Sequence, residues 1–313
     1  MTRRISIPLV IDLLIVKDPD QIGVLDAHPA VTRDFERSRS WAVRWLGTRF
    51  HNVLSIGNTL LPALLPREDC IRQGQTAALE RRFGPRGENA AITPEDVHVL
   101  ARYVRGEVGE TVMMARLQSV VGRQFGVGYQ ATSQTVYDAI LLDTAARNFL
   151  KGLWWRVTGQ IGPARQRMAK ACDGDIYAAH ATVVALHSLA VPLRALRQQS
   201  SQLAGQTRGA AEIVAGVIEP PPRSLRSVSG PVEAPFLSWP LGPKSLLIFA
   251  PLPTAGADVA FAMGRWSRCP AHAFVHRLLQ EVWCAAMAAA PGNSATAGPA
   301  RDPVDDRAVC VSA

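Results

Sequence analysis

Apolar residues recur along this chain at helical spacing far more often than they alternate. The cleanest run spans 173–199, where Ile176, Val183, Leu186, Leu189, Leu193 and Leu196 share a helix face. Pro192 removes a backbone hydrogen bond there and predicts a kink. Thr93-Pro94-Glu95-Asp96 reads as a helix start, with a hydroxyl at the N-cap, proline at N1 and acids in the first turn. That helix is expected to end near 105, and the next to cover 110–123 before Gly126 and Gly128 break it. Further helices are expected over 33–65, with Trp41, Trp45, Phe50 and Leu54 near one face, over 133–155, from Pro163, over 210–218 and over 270–289. The run LVIDLLIV at 9–16 reads as a short buried strand, and 20–25 as a short helix. Segment 66–89 reads as a loop with a helical piece, and 220–254, rich in proline, as turns and short strands.

Composition changes this picture little. The chain has 313 residues, 48% hydrophobic and 19% charged, ordinary for a globular protein. We expect one domain over 1–290 and a disordered tail over 291–313. No window offers the ~20 clean apolar residues of a membrane span, and the N-terminus lacks a signal-peptide cleavage pattern, so a cytoplasmic location is expected. The five cysteines show no CxxC spacing, which argues against a disulfide scaffold and fits a reducing compartment. The net charge of +8 is spread widely, and no nucleic-acid-binding motif accompanies it. A basic surface of this kind also suits an acidic protein partner such as a ferredoxin.

The densest chemistry lies in Phe261-Ala-Met-Gly264-Arg-Trp-Ser-Arg268-Cys269-Pro270-Ala-His272. Cys269 stands at a helix mouth, after a glycine turn and beside arginines, a setting that lowers a thiol's pKa and suits a metal-binding thiolate. A rival reading groups Cys269 with His272 and His276, a C-x2-H-x3-H set that supplies three zinc ligands but finds no fourth nearby. Gly122-Arg-Gln-Phe-Gly126-Val-Gly128 follows a helix and reads as an interhelical turn. No dinucleotide, P-loop or nucleophile-elbow motif is present.

The order of these features resembles the haem-thiolate cytochromes P-450. A long helix (175–197) is followed by a shorter one (210–218), a proline-rich turn with arginines (220–226), short strands, and a cysteine loop (261–269) opening a last helix. Val16-Lys-Asp18-Pro19-Asp-Gln-Ile22 resembles the family's opening strand, Asp-Pro and small helix. The motifs are altered. Phe261 and Gly264 lie one residue too far from Cys269, and Ala271 replaces the loop's last glycine. Val214 and Val217 occupy the E-x-x-R positions, and Ala178-Ala179-His180-Ala181-Thr182 keeps the distal threonine without its glycine and acid.

The resemblance implies a mainly α fold with a small β portion and a haem b cofactor between the 175–197 helix and the cysteine loop. It implies Cys269 as iron ligand, and Arg223, Arg226 and Arg268 as clamps for the haem carboxylates, with Arg123 or His98 as a further donor. Thr182 and His180 would line the distal side. The implied activity is an oxidoreductase, a monooxygenase or peroxygenase on a small organic substrate. Electrons would come from a ferredoxin-type donor; with the acid missing, peroxide or a substrate carboxylate would be used instead of an electron-transfer partner. The alternatives are a non-catalytic scaffold or partner protein of the same fold, or an unrelated helical binding protein.

Overall fold

The computed structural model describes residues 2–7, 10–36, 38–45, 65, 67–83, 92–126, 128–203, 208–221, 223–266 and 268–289. The expected tail, and most of the expected 33–65 helix, lie outside the described residues. Of that helix only 41–45 is described as helical, and 33–36 and 38–40 are not helical.

A five-stranded sheet flanks a helical body. Its strands are β1 (Thr2–Ile7), β2 (Ile11–Val16), β3 (Val31–Thr32), β4 (Ser224–Val228) and β5 (Ser245–Phe249), in the order β1-β2-β5-β4-β3. β2 runs parallel to β5, with Leu14 beside Leu247, and the other neighbours are antiparallel. β1 escaped the sequence reading because Thr2, Arg3, Arg4 and Ser6 give it little apolar signal. Arg4 anchors it by donating from Nε to Asp12 at 2.9 Å. The sheet buries Leu14, Val16, Val228, Leu247 and Phe249 against Ile22 and Leu25 of helix α1 (Pro19–Ala27). Asp18 caps α1 by accepting from the Gln21 N–H at 2.9 Å.

The helical body comprises α2 (Cys70–Phe83), α3 (Pro94–Val104), α4 (Glu110–Arg123), α5 (Ser133–Arg147), α6 (Phe149–Val157), α7 (Ile161–Ala171), α8 (Ile176–Leu203), α9 (Ala210–Val217), α10 (Gly256–Ala260) and α11 (His272–Ala288). α8 is the axis. Its buried Val183, Leu186, Leu189, Leu193 and Leu196 join Met113, Leu117 and Val120 of α4 and Leu278, Leu279 and Val282 of α11 in one core. Each such side chain contributes roughly 1.5–3 kcal/mol by leaving water. α8 also contains, within Ile176–Ser200, an 18-residue apolar window long and apolar enough to cross a membrane, which the sequence reading did not anticipate. In this fold 56% of that window is buried inside the protein.

Local capping sets the helix ends. Thr93 and Asp96 form a reciprocal capping box at α3, and buried Asp96 also holds Arg116 of α4 at 3.2 Å and Arg123. The expected 133–155 helix is two helices. Asn148 adopts an extended conformation, closes α5, and caps α6 through the Lys151 N–H at 3.1 Å. Gly122 is buried within α4 rather than in a turn, because the Tyr129 ring lies where its Cβ would be.

Candidate functional site

The loop between α10 and α11 builds the site. Ala262 (φ 52°) and Gly264 (φ 71°) both take left-handed backbone conformations and reverse the chain sharply. For Ala262 this costs on the order of 1–2 kcal/mol, local strain of the kind that gathers at functional sites. The reversal brings the Cys269 N–H to 2.8 Å from the Phe261 carbonyl, which closes the loop. Cys269 then faces a cavity of about 130 Å³ lined by Ile22 of α1, Arg226 of β4, Phe249 of β5, Phe261, Arg265 and Arg33. The cavity thus sits where the sheet, α1 and the cysteine loop converge.

Guanidinium groups dominate this corner. Arg226 donates from Nε to Asp26 at 2.8 Å, and both side chains are buried. Trp266 donates from Nε1 to the Asp26 carbonyl at 2.6 Å. Its ring takes the guanidiniums of Arg72 at 4.5 Å, Arg226 at 5.7 Å and Arg33 at 5.8 Å. Arg33 makes no hydrogen bond or ion pair with any described residue. It keeps some surface open to the cavity while lying deep in the protein. Burial, then the charges of Arg226 and Arg72, bring its pKa down to about 9, with Asp26 and Cys269 pulling the other way. Burial and Arg226 likewise bring Arg72 down to about 10. Such a cluster is complementary to an anion.

Cys269 is a free thiol. The expectation of a lowered pKa fails for the protein alone. Burial pushes the thiol up, outweighing the Ala271 N–H and the Arg33 charge that favour the thiolate. The helix start is also remote, since α11 begins only at His272. On α8, His180 feels the charge of Arg33, though it is not among the residues lining the cavity. Burial, then the Arg33 charge, lower its pKa to about 4, and its Nδ1 is buried without a hydrogen-bond partner.

The other expected site residues are placed elsewhere. Thr182 is fully buried, donates to the Ala178 and Ala179 carbonyls of its own helix at 2.8 and 3.1 Å, and faces Cys172 at 3.9 Å. It does not line the cavity. Arg268 points outward and holds Glu80 of α2 at 2.5 Å. Arg223 and His98 are placed away from the cavity lining, and Arg123 is spent on Asp96. The zinc set does not assemble either. The rings of His272 and His276 lie 4.5 Å apart, tilted by 52°, and pack on Phe261, and the described residues hold no group of three His, Cys, Asp or Glu arranged for a metal. Cys284 is disulfide-bonded, a departure from the reduced state its spacing led us to expect. Arg33 and Arg72 were missed because nothing local marks a lone arginine as one that will lie deep in the protein.

The donor types, though not the present volume, suit a haem: Cys269 offers one thiol to the cavity, and Arg33 and Asp26-paired Arg226 offer guanidiniums to carboxylates. The enclosed space is smaller than the ~300–1,000 Å³ of ordinary ligand pockets, so admitting a macrocycle requires lining side chains to withdraw.

No family model and no curated protein matches the chain. Solved structures do. A 6-coordinated cytochrome P450 from Thermus thermophilus aligns with TM-score 0.54 and 13% identity, covering 88% of this chain and 84% of that one. Cytochrome P450SP alpha in complex with (R)-ibuprophen aligns with TM-score 0.55 and 13% identity, covering 90% and 84%. A mutant of the same protein aligns with TM-score 0.53 and 14% identity, again covering 90% and 84%. At these identities the likeness is one of fold, and the chain has the mainly helical, small-sheet architecture of the cytochromes P450.

Proposed function

We propose that this chain is a divergent haem-thiolate oxidoreductase, a monooxygenase or peroxygenase acting on a small organic substrate. The observation that carries the reading is Cys269 sharing one cavity with Arg33, a deep guanidinium without an anionic partner among the described residues, within a P450 fold.

A thiolate-ligated haem b, when bound, supplies oxygen activation, with the thiolate pushing electron density toward O–O cleavage. The rest falls to the chain. Cys269 gives up its proton on binding, and the Ala271 N–H and the Arg33 charge then stabilise the sulfur anion. Arg33 and Arg226 receive the carboxylates, and the Trp266 ring holds the guanidiniums in place. His180, neutral at pH 7, holds or passes a proton at Nδ1 in place of the absent distal acid. In this reading the basic surface receives a ferredoxin-type donor, and peroxide is the alternative oxidant.

The test is haem titration of the purified chain. A Soret band saturating at one haem per chain, with weaker binding in Arg33→Gln, is expected. Absence of uptake would leave a scaffold protein without turnover.

A further inference from the structure

The strongest unassigned feature lies away from the cavity, on α6. Leu150, Leu153, Trp154 and Val157 are spaced i, i+3, i+4, i+7, and they are 72%, 44%, 64% and 76% exposed. A helix normally turns such a stripe inward. Here the opposite face is the packed one. Gly152 is buried, and a Cβ on it would come 2.5 Å from the Ala145 carbonyl oxygen, so α6 is pressed against α5. Trp155 packs against the main core. The orientation is therefore fixed by packing, and the apolar stripe faces outward.

Charge frames the stripe. At about 100° per residue, Lys151 and Arg156 fall on its two flanks. From 144 to 172 the sequence has six basic residues, Arg147, Lys151, Arg156, Arg165, Arg167 and Lys170, and no Asp or Glu. Arg147 and Arg167 pair with Asp143 and Asp138 of α5, Arg156 and Arg165 have interactions of their own within the protein, and Lys151 is exposed beside the stripe. An apolar stripe holding Trp and Leu, flanked by long basic side chains, is the pattern of a helix lying in the interface of an anionic bilayer. A protein partner fits less well. Nine residues make a helix about 14 Å long and roughly 10 Å wide, a footprint well short of the ~800 Å² per partner of a stable protein interface.

We propose that α6 docks this protein onto anionic lipid surfaces, with Leu150, Leu153, Trp154 and Val157 entering the headgroup–acyl boundary and exposed Lys151 meeting lipid phosphates and carboxylates. This is peripheral attachment, distinct from a membrane span, and it does not depend on haem binding.

The test is co-sedimentation of the full chain with vesicles of phosphatidylcholine containing one-third phosphatidylserine, beside pure phosphatidylcholine. The chain is expected to bind the anionic vesicles and to be released as salt rises. Trp154→Ala should weaken partitioning about tenfold or more, and Lys151→Glu several-fold. Both side chains are exposed, so circular dichroism should show both variants folded. Absence of sedimentation, or sedimentation unchanged by Trp154→Ala, would overturn the proposal. So would a dimer seen by ultracentrifugation without vesicles and abolished by Trp154→Ala, which would make a second copy the occupant.

Discussion

Asp26→Asn is the most informative single change at the arginine cluster. Asp26 is 0% and Arg226 4% exposed, and they meet at 2.8 Å. The Asp26 charge also bears on Arg33 and Arg72, raising both pKa values against the burial that lowers them. Asparagine keeps the shape and removes the charge, which leaves three clustered guanidiniums without it. Breaking a buried pair in this way costs about 3–5 kcal/mol. For a chain of this size, at roughly 2 °C per kcal/mol, the melting temperature should fall by about 6–10 °C. Urea unfolding of the wild type, Asp26→Asn, Arg226→Met and the double variant gives the coupling directly. The double variant should recover part of the loss but not all, since Arg33 and Arg72 remain. A loss below about 1 kcal/mol in Asp26→Asn, or strict additivity in the double variant, would refute the claim that Asp26 organises the cluster.

Other expectations follow from the same geometry. His180 titrates near 4 when folded against about 6.5 in an unfolded chain. Its contribution to stability, up to about 3 kcal/mol, is present above pH 6.5 and lost as pH falls toward 4. His180→Gln should flatten that part of the pH–stability curve, and an unchanged curve would place the acid sensitivity elsewhere. Thr182→Val should leave haem titration unchanged and alter stability by about 1 kcal/mol, since the hydroxyl donates to its own helix and lies near Cys172. A large loss of haem binding would return Thr182 to the distal side. Thr93→Ala should cost about 1 kcal/mol through the lost cap of α3, measured by thermal melting. Exposed Cys70 should alkylate before Cys269, whose thiol burial keeps protonated, and Arg33→Gln should slow Cys269 further.

Local signals carried the legible part of the fold. The helix at Pro94–Val104 stood out because the Thr93 hydroxyl, Pro94 and the acids of its first turn act on their own backbone, and Glu110–Arg123 because its apolar positions recur at helical spacing. The break at Asn148 carried no glycine or proline to announce it. Of the residues that spacing singled out, Cys269 and Arg226 line the same cavity, but their company differs from the expectation. Arg268 adjoins Cys269 in sequence yet points to Glu80, while Arg33, from the far end of the chain, reaches the cavity. Neighbours along a loop diverge, and only the tertiary fold decides which guanidinium is buried. The same limit applied to Thr182, whose helical phase relative to the cavity depends on how α8 packs.

The central claim is that Cys269 binds haem iron. It is tested most directly by the absorption spectrum of the haem-titrated chain, oxidised and then reduced under carbon monoxide, beside Cys269→Ala. The account predicts a red-shifted Soret band in the reduced carbon monoxide form of the wild type and its loss in the variant. The same band in both proteins, or no haem spectrum in either, would contradict it.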